Sequence, residues 1–445
     1  MKSIGPASDD FFAKNWESTA AKKHGKASDT ATQEVKDSVR LSSSNDSKSA
    51  KTRTNQPNVT KPKPEKKWTV LMYFAADNNL EKNIVNDALD AEWRGSNSEI
   101  NVALQLDRGE KPSPISGGWS GAKRFVLKKG WDPENLTSPV ARDLGQINMA
   151  DPKNLTDFIK WGVKECPARH YMIVISSHGG GFEGAIDDRT HPDNPEDEGW
   201  MSLKNLKSAF SEARKETGVK PDLLVFDACL MGQAEVAYEL RDQAKYMIAS
   251  EETIGNDGLP YNRMLFPSAF KVLDEAVKAK IDASPEQVAR KIIKFAERYQ
   301  EDVRTLAAID LPQANKMVEA VKEMSQTIKE TSTPIEHFLD IMEHTQKFEQ
   351  YGFKDLYDFS KRVHESEKIT DEKLKASASN LMKALDTCIM ANQNSAKYPD
   401  AHGLSANLIF NFDEESHHYR EKTEFAKDSN WDEALKKMQP PPYQA

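Results

Sequence analysis

The 445-residue sequence predicts an α/β fold: a mostly parallel sheet flanked by helices, with an α-rich C-terminal region that returns once to a sheet. Three observations carry this. The runs 171–175 (YMIVI) and 223–226 (LLVF) are continuously apolar, as strands buried on both faces of a parallel sheet are. Strand-like runs alternate with helix-period stretches from residue 68 to residue 311. Beyond Gln313 the pattern is mostly helical.

Residues 1–65 are rich in Ser, Lys, Thr, Asn and Asp, with almost no apolar periodicity, so a disordered tail or prosegment is expected over 1–66. Pro62 and Pro64 read as an extended linker. An α/β domain is expected over 67–312 and a helical C-terminal region over 313–445. A strand is expected over 68–74, then a helix over 78–93 with Asp77 or Asn78 as its cap. Strands follow over 100–106 and 122–127, separated by a Gly- and Pro-rich loop. A helix over 151–164 carries Pro152 in its first turn. The run at 171–175 then delivers His178, and an acidic loop over 187–198, expected to be solvated, leads to a helix over 202–216 capped by Ser202. The run at 223–226 delivers Cys229, followed by a helix over 232–241 and a strand over 246–250. Ser284 opens a helix running to 299, and 305–311 is another strand. Helices over 314–329, 335–345 and 373–392 and a late strand over 402–411 complete the chain.

Composition narrows the function. No apolar run reaches transmembrane length, and no apolar N-terminal segment marks a standard secretory signal. Localisation is therefore left between the cytoplasm and export by a non-standard route. Residues 1–67 carry 14 basic and 8 acidic side chains, and the rest 47 and 62, so a net charge of −9 divides into +6 and −15. An acidic body attracts cationic substrates and disfavours nucleic acid. Three cysteines (Cys166, Cys229 and Cys388) without a CxxC pair imply neither a disulfide framework nor a zinc site.

His178 and Cys229 each end an apolar strand, 51 positions apart, on small neighbours. Ligands of open α/β sheets bind at the carboxyl ends of strands, so the two are expected at one rim. A thiol beside an imidazole is an arrangement for nucleophilic catalysis. The glycines after His178 let the backbone pass close to a substrate, and the Gly179 N–H is a candidate oxyanion donor. Each residue alone is more often structural: a buried small hydrophobe, or a capping imidazole.

Ser177-His178-Gly179-Gly180-Gly181, the stretch 226–232 (FDACLMG), Ser250-Glu251-Glu252, the stretch 71–80 (LMYFAADNNL) and the stretch 353–359 (FKDLYDF) occur here in that family's arrangement: the chain resembles the clostripain family of cysteine peptidases, in the clan that includes caspases, legumains and gingipains. The resemblance implies a caspase-like sheet. It also implies a Cys229–His178 dyad with no third member, and an oxyanion hole from the N–H groups of Gly179 and Cys229. The helix expected from Gly232 would add its N-terminal field to the thiolate.

The family implies cleavage of peptides and proteins after Arg or Lys, which demands a carboxylate in the first specificity pocket. Asp227 and Asp257 fit by position, and Glu252 and Thr253 are further lining candidates. Asp227 shares a strand face with Cys229. Its structural alternative is a turn-capping carboxylate, and Asn256-Asp257-Gly258 is itself turn chemistry. Relatives are nicked between the His and the Cys, and Arg189 is the nearest basic candidate for self-cleavage. Some relatives need calcium. Asp187, Asp188, Asp193, Glu196, Asp197 and Glu198 offer oxygen ligands without EF-hand spacing, so the expectation is no required cofactor or metal, with calcium as an option. The competing functional class is a catalytically silent peptide-binding scaffold of the same fold. A caspase-like acidic preference would want Arg around the pocket, and residues 251–260 contain none.

Overall fold

A computed structural model describes residues 63–188, 199–265, 283–349, 352–408 and 413–439. The expected tail over 1–66 falls almost wholly outside these residues, as do Arg189, Asp193, Glu196, Asp197 and Glu198. The strands in chain order are β1 Lys66–Ala76, β2 Ile100–Arg108, β3 Gly121–Val126, β4 Val140–Gly145, β5 Ala168–Ser176, β6 Ala185–Asp187, β7 Trp200–Met201, β8 Leu223–Asp227, β9 Tyr246–Ala249, β10 Thr305–Asp310, β11 Phe353–Asp355, β12 Ile389–Asn394 and β13 Ser405–Asn407.

Among the described residues, nine of them form one sheet in the order β12-β10-β9-β8-β5-β1-β2-β3-β4. Its centre, β9-β8-β5-β1-β2, is parallel, and an antiparallel pair is added at each edge. The chain leaves β1 toward β2 on one side and later returns to β5 on the other, so the direction of winding reverses at the β1/β5 pair. That reversal opens the crevice at the strand ends where α/β proteins bind ligands.

Strand alternation divides the interior into two layers. Val70, Met72 and Phe74 of β1 face the helix Glu81–Arg94 (through Ile84, Val85 and Ala88) and the helix Pro285–Ala296. Leu71, Tyr73 and Ala75 face the helices Pro152–Glu165 and Leu203–Thr217. The caps read from sequence form where a side-chain oxygen reaches the first free N–H groups: Asp151 accepts from Lys153 N, Ser202 from Asn205 N, and Ser284 makes a full capping box with Gln287. The helix Glu81–Arg94 differs. Its N-cap is Leu80, while Asn78 Oδ1 accepts the Leu80 N–H at 2.9 Å and Asp77 turns inward.

Two strand assignments change. The amphipathic pattern over 373–392 ends as a helix at Cys388, and β12 continues from it as an edge strand paired with β10. Pairing with an open sheet edge outweighs local helix preference there. Of the late strand expected over 402–411, residues 409–411 lie outside the described residues; within them it is β13, which pairs with β11 outside the main sheet. β4 escapes sequence reading because its residues are mostly exposed and lack an apolar alternation.

The C-terminal helices Ala314–Glu330, Leu356–Glu365, Glu372–Cys388, Glu424–Ser429 and Trp431–Met438 share one continuous core with the sheet face that carries Leu71 and Tyr73. Buried Glu235, on the short helix Ala234–Glu239, accepts both the Asn407 N–H at 2.8 Å and the Tyr419 hydroxyl at 2.7 Å. Trp431 is fully buried, meets Phe359 edge-on, and donates its indole N–H to the Asn407 carbonyl at 2.9 Å. Trp431→Ala therefore removes a large core side chain and orphans a carbonyl. We expect it to lower unfolding free energy by roughly 3–5 kcal/mol, measured by denaturant melts. A loss below about 1 kcal/mol would show that these helices contribute little to the common core.

Candidate functional site

His178 and Cys229 leave the sheet from neighbouring strands, β5 and β8, whose last paired residues are Ser176 and Asp227. After β5 the chain makes a tight hairpin: Ile186 N–H donates to the His178 carbonyl at 3.1 Å, and Gly180 N–H to the Gly184 carbonyl at 2.9 Å. These bonds flank the Gly179–Ala185 bridge and leave the Gly179 N–H directed out of the hairpin. Gly179 also explains why glycine is needed. A methyl group on it would lie 2.3 Å from the Cys229 carbonyl oxygen and 3.0 Å from the Ala228 Cβ. The two loops that carry the thiol and the imidazole are thus in direct backbone contact.

The His178 ring is oriented by a residue that sequence reading did not single out. Its Nε2 lies 2.5 Å from Asn79 Oδ1, just beyond the end of β1. An amide oxygen only accepts, so Nε2 is the donor of this pair. Asn78 stabilises the same corner, its Nδ2 donating to the Asp187 carbonyl at 3.0 Å and to Ser177 Oγ at 3.3 Å. The signal in the sequence is the pair Asn78-Asn79 just past a strand end, of which only Asn78 is a cap candidate.

Cys229 is part-buried, and its Sγ donates to the Ile254 carbonyl at 3.8 Å. Burial pushes its thiol up to about 11. Leu230 follows in the left-handed region (φ 65°), a turn that costs a non-glycine residue roughly 1 kcal/mol. The turn is held by Leu230 N–H to the Glu252 carbonyl at 3.3 Å and Gly232 N–H to the Ser250 carbonyl at 2.7 Å. The helix expected from Gly232 begins only at Ala234 and is six residues long, so its N-terminus does not stand at Cys229. Cys166 and Cys388 are buried, their thiols pushed up by burial to about 11 and about 12.

The acidic candidates occupy different environments. Asp227 is buried, and both its oxygens are engaged: Oδ1 accepts the Leu259 N–H at 2.9 Å, and Oδ2 the Tyr261 hydroxyl at 2.8 Å and the Ser176 hydroxyl at 3.3 Å. Burial pushes its carboxyl up to about 6, against those three hydrogen bonds. Asp257 is exposed at the tip of the same loop, 3.3 Å from Asn83 Nδ2. Gly258 passes between acidic groups: a methyl there would lie 2.8 Å from both Asp227 Oδ2 and Asp87 Oδ2. Asp87, buried on the helix Glu81–Arg94, was not read from sequence because it falls inside an amphipathic pattern. Its carboxyl is pushed well up, by burial first and then by Asp227, Asp90 and Asp257.

Glu252 is fully buried and structural in its contacts. Its Oε1 accepts from the Thr253 N–H and hydroxyl at 2.8 and 2.9 Å, and its Oε2 from the Glu349 N–H at 2.9 Å. Thr253 also meets Arg304, whose Nη1 donates to its hydroxyl at 3.3 Å. Residues 251–260 hold no Arg, yet the fold brings this one in from the start of β10. Asp187 and Asp188 depart from expectation, since both are buried rather than solvated.

Comparison with known proteins fits this arrangement. A family model described as the clostripain family matches residues 72–438. Clostripain of Hathewaya histolytica is 24% identical over 411 residues, covering 79% of this chain and 75% of that protein. A secreted C11 cysteine protease from Bacteroides thetaiotaomicron, solved with an irreversible peptide inhibitor, superposes with a TM-score of 0.60 at 19% identity, over 82% of this chain and 99% of that one. An inactive zymogen C11 protease from Parabacteroides distasonis gives 0.59 at 20% identity, over 82% and 99%. Both structures share the caspase-like sheet. No described helix is long and apolar enough to cross a membrane. Since the family match runs from β1 to the last described helix, the chain belongs to the clostripain family and is a cysteine peptidase.

Proposed function

We propose that the protein is an endopeptidase that cuts after Arg or Lys through a Cys229–His178 dyad and processes itself near Arg189. The observation that carries this is the backbone contact of Gly179 with Cys229, beside the carboxylates gathered around Gly258. In the proposed reaction His178 Nδ1 takes the thiol proton and Cys229 Sγ attacks the scissile carbonyl. The N–H groups of Gly179 and Cys229 receive the oxyanion. His178 returns the proton to the leaving amine, and water then cleaves the thioester. A cationic side chain before the scissile bond would sit against exposed Asp257, with Asp227 and Asp87 supplying negative field from beneath. Their shared burden of buried charge is eased when that cation arrives.

One observation favours the silent-scaffold reading: the resting thiol is held neutral, tied to the Ile254 carbonyl. In an active enzyme this is a latent state that substrate or processing releases.

Three outcomes test the proposal. Cys229→Ala should abolish cleavage of Arg and Lys peptides, and with it any cut near Arg189 seen by N-terminal sequencing, while leaving the melting temperature unchanged. A basic-peptide reagent with a thiol-reactive head should label Cys229 and spare the buried Cys166 and Cys388. No labelling of natively folded protein would favour the scaffold. Asp257→Asn should lower kcat/KM for Arg over neutral peptides by roughly ten- to a hundredfold, the worth of one hydrogen bond to a charge, without a change in stability. An unaltered Arg-to-neutral ratio would remove Asp257 from the pocket.

A further inference from the structure

Thr253 meets a cation to which the proposed cleavage gives no task. Arg304 stands half-buried just before β10. Because β10 runs antiparallel to β9, its first residues lie at the carboxyl edge of the sheet, where the parallel strands deliver their loops. The main chain is fixed there. The Arg304 carbonyl accepts the Ser395 N–H at 2.8 Å, and the hydroxyl of the next residue, Thr305, lies 2.8 Å from Ser250 Oγ and accepts the Glu252 N–H at 3.1 Å. The side chain is less committed. A guanidinium carries five N–H donors. Among the described residues Arg304 makes one side-chain hydrogen bond, from Nη1 to the Thr253 hydroxyl at 3.3 Å, and no ion pair. That hydroxyl itself donates to Glu252, whose other oxygen accepts the Glu349 N–H. A half-buried guanidinium on a fixed main chain, with donors to spare, is suited to receive a carboxylate.

We propose that Arg304 is a specificity-determining residue that receives an acidic side chain of the substrate, two or three residues before the scissile bond. This inference rests on the cleavage reading above. The strand order β10-β9-β8-β5 sets the order along the rim: guanidinium, 250–254 turn, thiol, imidazole. The imidazole must reach the leaving amine, so the departing chain lies on the β5 side of Cys229. The acyl portion, held on sulfur, extends the other way, past Thr253. From β8 to β10 is two strand spacings, about 10 Å, and an extended chain advances about 3.4 Å per residue. The second or third residue before the cut therefore comes within reach of Arg304.

Charge supports the same placement. Elsewhere the rim holds Asp227, Asp257 and Glu252, which repel an acid. Burial first, then Asp227 and Glu252, raise the Cys229 thiol, while Arg304 lowers it, so the guanidinium lies within electrostatic reach of the nucleophile. The chain's own candidate cut has the expected form, since Arg189 is preceded by Asp187 and Asp188.

The test gives the full chain pairs of peptides that differ only in Asp against Asn, at the second or the third residue before a single Arg. Asp should raise kcat/KM about five- to tenfold over Asn at one of the two positions, between the worth of an exposed and a buried charge pair. Arg304→Gln should bring that ratio to about one, Arg304→Glu should invert it, and Arg304→Lys should keep it above one. Both peptides meet the same protein, so a less stable variant still reports the ratio. A parent ratio of one at both positions would overturn the assignment and leave cleavage after Arg intact. So would a ratio that survives Arg304→Gln and Arg304→Glu, with both peptides losing equally; Arg304 would then only support Thr253. Fluorescence anisotropy of the same peptides, labelled, on Cys229→Ala separates this inference from the reading it rests on. Stronger binding of Asp than Asn peptides that disappears when Arg304→Gln is added, in a parent chain that cuts no Arg peptide, would uphold Arg304 and remove the cleavage.

Discussion

The arrangement turns on the close passage of two backbones, Gly179 against the carbonyl of Cys229. Parallel strands set 4.8 Å apart bring the ends of β5 and β8 together, but not yet within chemical reach. Closing the remaining gap requires a residue without a Cβ on one side and a left-handed turn at Leu230 on the other. Both loops are then pinned from outside, the first by its own hairpin and the second by the 250–254 turn. The thiol and imidazole thus owe their placement to main-chain contacts around them.

Around this contact the fold concentrates negative charge at the carboxyl edge of the sheet. Asp227, Asp87 and Asp257 gather on the β8 side, and Asp77, Asp107 and Asp188 on the β1/β2 side. Each cluster has members forced upward in pKa chiefly by burial. The two differ in how they are satisfied. Asp227 has both oxygens bound by protein donors, while Asp107 has none among the described residues.

Much of the architecture was legible in the chain. Core strands such as 171–175 announce themselves because both faces are apolar, and Ser202 and Ser284 announce helices because their hydroxyls precede amphipathic turns. The candidate pair His178 and Cys229 stood out for the same reason: each follows the end of an apolar run, and the two strands are indeed neighbours. What stayed hidden depends on distant partners. Asn79 orients His178 across 99 positions, Asp87 sits within an ordinary helical pattern, and β12 reads as helix until an open edge is available to it. Asp188 looked like part of a solvated acidic run, since nothing local reports that Asp77 and Asp107 lie over it. Glu252 and Asp227 fit by position, yet position says nothing of the donors that occupy their oxygens.

The sheet is continuous across the stretch between Asp188 and Gly199. β5 and β8, on opposite sides of that stretch, are adjacent and hydrogen-bonded, and β6 and β7 pair across it as well. A chain severed there would remain one molecule: β1 to β6 would belong to one polypeptide and β7 to β13 to the other, with the imidazole on the first and the thiol on the second. Such fragments would elute together and separate only in denaturant, because each lacks half of the strands needed to cover the other.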